Sequence, residues 1–287
     1  MSTEPSSRIS STASTATSSR PIAFIGGGNM AAALIGGLIK AGRSADEILV
    51  VEPFEPQREK LSRDFGVQLF AQASPALARA GTVVWAVKPQ SFREAAAPCA
   101  PFVSGALQLS VMAGIRSDAV AAASGSARVV RAMPNTPALI GQGVAGLFAR
   151  PEVDAAGRAE AEALLAPTGA TLWVERESDL DAVTAVSGSG PAYVFLFIES
   201  MMAAATEMGL SEAQARALTL ATFAGATALA QQSEDPPSVL RERVTSKGGT
   251  THAALEVMRE AGVPAIIGRA MQAARTRAAE LGDAFGS

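Results

Sequence analysis

Histidine and cysteine are almost missing. A chain of 287 residues with one histidine and one cysteine can build neither an internal disulfide nor a multi-cysteine zinc site around Cys99. It also leaves almost no room for a His-based metal centre or a Ser-His-Asp triad, because His252 stands alone. Charge of one sign is also lacking. A net charge of −3 provides no basic surface for nucleic acid or an anionic membrane. Long hydrophobic runs are scarce: the most apolar stretch, AYVFLFIESMMAAA (192–205), is short for a bilayer and carries Glu199, so it reads as a buried helix. Chemistry has to come from a bound cofactor.

What is present is a core-building composition, 48% hydrophobic and 18% charged, enough for one large or two modest domains. The first twenty residues are Ser/Thr-rich, lack the apolar core of a signal peptide, and make a poor transit peptide with two arginines and no amphipathic pattern. They read as a disordered tail. Together with the unpaired cysteine, this points to a cytoplasmic protein.

From Pro21, short apolar strands alternate with helical stretches. Strands are expected at 22–26, 48–52, 82–87, 107–111 and 127–132, with a further pair at 144–148 and 171–175. Helices are expected at 29–41, 57–65, 90–97, 117–123 and 152–165. Strands spaced by crossovers specify an α/β fold, a doubly wound parallel sheet covered on both faces. After about Asp181 the strands stop. Ser211 with Gln214 three residues later is a capping-box signature, and prolines at 236–237 and 264 suit first helical turns. Residues 21–184 therefore read as a dinucleotide-binding domain and 185–287 as an all-helical one. Its Ala- and Gly-rich faces require close packing, including with a second subunit.

Two glycine-rich loops carry the candidate chemistry. The first, AFIGGGNMA, gives Gly26-x-Gly28-x-x-Ala31 between a strand and a helix. Gly26 permits the turn, Gly28 clears the approach of a pyrophosphate, and Ala31 lets the helix lie near the sheet. Glu52, at the end of the second strand and 24 residues past Gly28, suits hydrogen bonds to a ribose and repels a 2′-phosphate. It favours NADH over NADPH; Arg58, one helical turn away, favours the phosphate. Lys88 and Pro89 in WAVKPQ fall at a strand's carboxyl end, where ligands bind. In RAMPNTPALIG (131–141), Asn135 either faces the nicotinamide or makes a hard corner. SGSGP (187–191) reads as a hinge, since no base is available to activate Ser187 or Ser189. The second loop, RVTSKGGTTHAAL (243–255), puts Gly248 and Gly249 before a helix whose first turn holds Thr250 and Thr251. That is either a plain turn with a threonine N-cap or a cradle for a carboxylate.

FIGGGNMAAALIGGL, AVKPQ, RAMPNTPALIGQG, DAVTAVSGSGPAYVFLFIE and VTSKGGTTHAALEVM, in that order, resemble the pyrroline-5-carboxylate reductase family. The resemblance covers about residues 22–275 and is most specific in SGSGPAYVF followed by GGTT. It implies a Rossmann domain and a helical dimerisation domain, a homodimer that can join larger rings, and reduction of 1-pyrroline-5-carboxylate to proline with NADPH or NADH. Residue by residue it implies that Ile25, Gly26, Gly27, Gly28, Asn29 and Met30 hold the pyrophosphate. Ala86, Val87, Lys88 and Pro89, with Val111, Met112 and Ala113, would line the adenosine and nicotinamide ends. Glu177 would lie on the substrate side. Ser246, Gly248, Gly249, Thr250 and Thr251 would meet the substrate, with the Thr251 hydroxyl nearest the ring nitrogen. No metal is implied. The chain departs from the family pattern at Lys247, where a proline is usual, and at Ala73, where an asparagine is common near the adenosine. A 3-hydroxyacid dehydrogenase shares this architecture but needs a lysine or histidine between Ala192 and Gly209, and there is none. A dinucleotide sensor would need the first loop and have no use for the second.

Overall fold

The computed structural model describes residues 20–286; the Ser/Thr-rich tail, apart from Arg20, lies outside them. Eight strands form one sheet in the order β3-β2-β1-β4-β5-β6-β7-β8. They are β1 (Ile22–Ile25), β2 (Ile48–Val51), β3 (Gln68–Phe70), β4 (Thr82–Trp85), β5 (Leu107–Ser110), β6 (Val129–Met133), β7 (Gly143–Ala149) and β8 (Gly169–Trp173). Every residue of β1, β2, β4 and β5 is buried, as strands covered on both faces must be. β3 was not expected from the sequence: its three half-buried residues on the sheet edge carry no alternating pattern. The expected parallel sheet holds with one exception, as β7 runs antiparallel to β6, Val130 pairing with Ala149. The connection between them is a short turn, Thr136–Ile140, and a parallel return would need a full crossover.

Six helices cover the sheet: α1 (Asn29–Lys40), α2 (Glu55–Phe65), α3 (Phe92–Ala96), α4 (Ala100–Val103), α5 (Ser117–Ser124) and α6 (Ala155–Leu165). Leu34, Ile35 and Leu38 of α1, Leu61 of α2 and Leu164 of α6 build the core on one face. Phe92, Val103 and Val120 build the other. Within that second core, the Trp85 indole N–H donates to Gln108 Oε1 at 2.9 Å, and the Gln108 amide donates to the carbonyls of Val103 and Ala106. A buried amide is tolerated there because each polar atom has a partner.

The remaining helices are α7 (Asp179–Val183), α8 (Gly190–Glu207), α9 (Glu212–Gln232), α10 (Pro237–Arg243), α11 (Thr250–Glu260) and α12 (Val263–Gly286). The capping box holds as expected: Ser211 and Gln214 cap each other's backbone at the start of α9. Two expectations need correction. The segment read as a hinge is helical, because α7, a π-helical turn (Thr184–Gly188) and α8 run on as one helix from Asp179 to Glu207. That 29-residue helix is long and apolar enough by length and composition to cross a membrane, which the 14-residue apolar stretch alone was not. Nor is α8 a buried helix: none of its residues is buried in the protomer, and Phe195 and Leu196 are 64% and 63% exposed.

Candidate active site

The first glycine loop leaves β1 by a turn that only glycine makes easily. Gly26 has φ +97°, and a Cβ there would lie 2.7 Å from the Ala86 carbonyl oxygen, so the loop rests directly on the backbone after β4. Gly28 is the N-cap of α1 with no side-chain cap, and a Cβ there would meet nothing within 4 Å. The turn thus faces open space. The first-turn N–H groups of α1 have no intrahelical partner, and with the helix dipole they favour an anion.

Glu52 stands beside this turn. Its Oε2 accepts the Gly27 N–H at 2.8 Å and its Oε1 accepts the Phe54 N–H at 2.9 Å. Arg58 Nη1 donates to the carbonyls of Glu52 (2.9 Å) and Pro53 (2.6 Å), which holds the guanidinium beside the end of β2. Next to the turn, the carboxyl ends of β1, β2 and β4 border a cleft of about 390 Å³. Ile25, Gly26 and Val87 line it, as do Val51, Pro53, Ala71, Gln72, Ala73, Ser91, Glu94 and Pro98. Ala73 stands where the family resemblance expects a residue near the adenosine; sequence reading missed the rest of this second group, and Ala71 and Gln72 follow the unrecognised β3 with nothing in their composition to mark them. Cys99 closes the cleft floor, 1% exposed. Burial raises its thiol to about 11, so at neutral pH it is a packed, unreactive group.

Of the other expected cofactor residues, Lys88 is exposed and caps a single 3₁₀ turn, Pro89–Ser91. Val111 donates its N–H to the Trp85 carbonyl at 3.1 Å, which sets the segment 111–113 beside the end of β4. Ile25 and Met112, 1% and 3% exposed, send their side chains into the core, so a ligand would meet their backbone. Asn135 makes the corner: its Oδ1 accepts the Val144 N–H at 3.0 Å.

The second loop is laid out as expected. Gly248 has φ +72°, the Gly249 N–H donates to the Ser246 carbonyl at 3.0 Å, and Gly249 is the N-cap of α11 with no side-chain cap. The threonine N-cap reading is therefore corrected: Thr250 and Thr251 lie inside the helix, and the first-turn N–H groups are open. Lys247 is exposed. His252 Nδ1 pairs with Glu256 Oε2 at 3.4 Å along α11. In one protomer α11 packs mainly on α12, and the lining of the dinucleotide cleft includes no residue beyond Cys99. Glu177 lies elsewhere again. Its Oε1 accepts the Ser117 N–H and the Arg131 Nη1–H, both at 2.7 Å, and its Oε2 accepts the Ser117 hydroxyl at 2.6 Å. Burial opposes its ionisation, but these hydrogen bonds and the Arg131 charge prevail and hold the carboxyl below its ordinary 4.5. The group therefore stabilises the fold above that pH, and the contribution is lost as pH falls through the depressed value. Among the described residues no cluster of His, Cys, Asp or Glu could hold a metal ion.

Comparison with known proteins decides the family. The profile for pyrroline-5-carboxylate reductase dimerisation matches residues 177–281, and that for NADP oxidoreductase, coenzyme F420-dependent, matches residues 21–114. A pyrroline-5-carboxylate reductase of Pseudomonas aeruginosa is 45% identical over 267 residues, covering 92% of this chain and 98% of that one. The chain belongs to the pyrroline-5-carboxylate reductase family. The Haemophilus influenzae member is 42% identical with the same coverage. A solved Coxiella burnetii member superposes with TM-score 0.85 at 34% identity, covering 92% of this chain and 98% of that one. The Plasmodium falciparum enzyme with NADP bound gives 0.82 at 26%, again covering 92% and 98%. The family's dimerisation domain explains the exposed faces of α8 and its neighbours, and its oxidoreductase domain fits the open turn and cleft at the strand ends.

Gly26→Ala forces both a disfavoured φ and an overlap with Ala86. The cost, about 1–3 kcal/mol, should weaken dinucleotide binding about 5- to 100-fold. Fluorescence titration of the purified variant checks this, with circular dichroism to confirm folding.

Proposed function

We propose that this chain reduces 1-pyrroline-5-carboxylate to L-proline with NADPH or NADH. The observation that carries the reading is a second open helix N-terminus, Gly249 at α11, in a chain whose first one already serves the dinucleotide. The substrate's two polar features are a carboxylate and a ring nitrogen, and the second loop offers a partner for each. The free N–H groups at the start of α11, with Ser246, Gly248 and Gly249 shaping the approach, suit the carboxylate. The Thr251 hydroxyl hydrogen-bonds the ring nitrogen and holds its proton while the imine carbon accepts hydride.

The first loop, from Ile25 to Met30, shapes the pyrophosphate site. The Gly26 and Gly27 N–H groups are taken by the Val51 carbonyl and Glu52, so the N–H groups that open α1 bind the phosphates, and residues 86–89 and 111–113 flank the rest of the dinucleotide. When bound, the reduced nicotinamide supplies the hydride. A cyclic imine is protonated readily near neutral pH, so the protein's tasks are orientation and exclusion of water. A chain with one half-buried histidine can meet them. Because the cleft and the second loop do not share walls within one protomer, the second loop acts on a dinucleotide held by the partner in a homodimer. The nearest different reading, a non-catalytic dinucleotide sensor, leaves the second loop without a task.

Glu52 favours NADH. Its carboxylate is held by two backbone N–H groups beside the first glycine turn, which keeps a negative charge near where a 2′-phosphate would lie. Glu52→Ser should raise the NADPH/NADH ratio of kcat/KM at least about fivefold. An unaltered ratio would show that Glu52 only braces the loop.

The activity itself is tested by following nicotinamide absorbance with each cofactor and pyrroline-5-carboxylate. Substrate-dependent oxidation is expected, and its absence with both cofactors would sink the reading. Thr251→Ala should lower kcat by about 10- to 100-fold with dinucleotide affinity nearly unchanged. An unchanged rate would remove Thr251 from the mechanism.

A further inference from the structure

The segment between β5 and α5 carries Val111 to Ala113, and three separate contacts hold it from the helical side. Glu177, just before α7, takes both the backbone N–H and the hydroxyl of Ser117, the first residue of α5. The same carboxylate pairs with Arg131 of β6, whose side chain is 6% exposed. Arg116 reaches Asp181 of α7 at 3.5 Å and Asp283 of α12 at 3.3 Å. Gly282 of α12 lies so close that a Cβ on it would sit 2.7 Å from the Arg116 guanidinium.

These contacts differ in weight. The Arg116 pairs are partly exposed, Asp283 being 81% so, and exposed pairs contribute little. The Glu177 contacts are charge-assisted, short and half-buried, and loss of the carboxylate would leave the Arg131 charge buried without a partner. Glu177 thus fixes where the chain enters α5, and the residues from 111 to 116 run from the Trp85 carbonyl to that point with Met112 and Ile115 packed in the core.

We infer that Glu177 is a positioning residue for the dinucleotide: through Ser117 it sets the 111–116 segment, and it does not itself meet the substrate. This departs from the substrate-side role that family resemblance implies for Glu177. The inference rests on the proposed reading that residues 111–113 flank the dinucleotide. One Oε1 with two donors and one Oε2 holding a hydroxyl leave the carboxylate committed to the protein. Its task is mechanical: to keep the segment at the end of β5 in register with the end of β4, where a ligand of the sheet must lie.

The test is a titration of NADPH and NADH by fluorescence, with no substrate present, on Glu177→Gln, Ser117→Ala and the double variant. Glu177→Gln should bind dinucleotide roughly tenfold more weakly, as expected when a segment flanking a ligand loses its anchor. Ser117→Ala should weaken binding about threefold, and the double variant should be no weaker than Glu177→Gln, since both act through one contact. At saturating dinucleotide, the KM for the imino acid should stay within about twofold. Unchanged dinucleotide affinity with a raised imino-acid KM would overturn the inference and assign Glu177 to the substrate; additive effects in the double variant would overturn it as well. If circular dichroism shows that Glu177→Gln does not fold, Ser117→Ala decides alone, and wild-type affinity in it contradicts the inference. The titration uses no pyrroline carboxylate, so it is readable whether or not the chain reduces that compound.

Discussion

The helical half of this chain cannot bury its own apolar face. α8 has no buried residue in the protomer, and Val194, Phe195, Leu196, Phe197 and Met201 are all exposed. Apolar side chains on one helix contribute about 1.5–3 kcal/mol each when removed from water, so this face must be covered. α9 is little better enclosed, with two buried residues, and α11 has none. A second copy meets the requirement, as the family's dimerisation domain implies. α7, the π turn and α8 form one continuous helix, and at its start Asp181 pairs with Arg116 while Glu177 holds Ser117 and Arg131.

The two glycine loops share one physical device. Each starts a helix on an N-cap glycine without a side-chain cap, leaving backbone N–H groups free for an anion. The surroundings differ. The first turn is wedged onto the Ala86 backbone and braced by Glu52, with a cleft of dinucleotide character beside it. The second is an open turn with nothing within 4 Å of a Cβ on Gly248, and its helix opens with the hydroxyls of Thr250 and Thr251 where the first opens with Asn29 and Met30. A diphosphate needs a rigid cradle that is mostly backbone. A small imino acid needs an anion site with a hydroxyl close by.

Much of this was legible from residue order. Fully buried strands announce themselves as apolar runs, and β1, β2, β4 and β5 fall within a residue or two of expectation. The glycine pattern located the first turn, and Ser211 with Gln214 located the start of α9, because both signals are local. What was not legible depends on tertiary context. β3 is three residues at an edge, stabilised by pairing with β2 and not by its own pattern. The antiparallel β7 follows from a short turn whose corner depends on Asn135 bonding Val144. α8 reads as a core helix because an apolar helix looks the same whether its cover is its own chain or a partner. Glu177 shows the same limit: the family resemblance implies a substrate-side residue, while its bonds to Ser117 and Arg131, 60 and 46 residues away, exist only in the fold.

In the proposed homodimer each working site is assembled from two chains, one supplying the dinucleotide loop and the other the Thr251 loop. Co-refolding Gly26→Ala with Thr251→Ala and assaying the mixture near the wild-type KM for dinucleotide tests this most directly. Hybrid dimers would then contain one intact site, and the mixture should recover up to about a quarter of wild-type activity. A mixture no more active than the average of the two variants would contradict the account and put both loops of each site in the same chain.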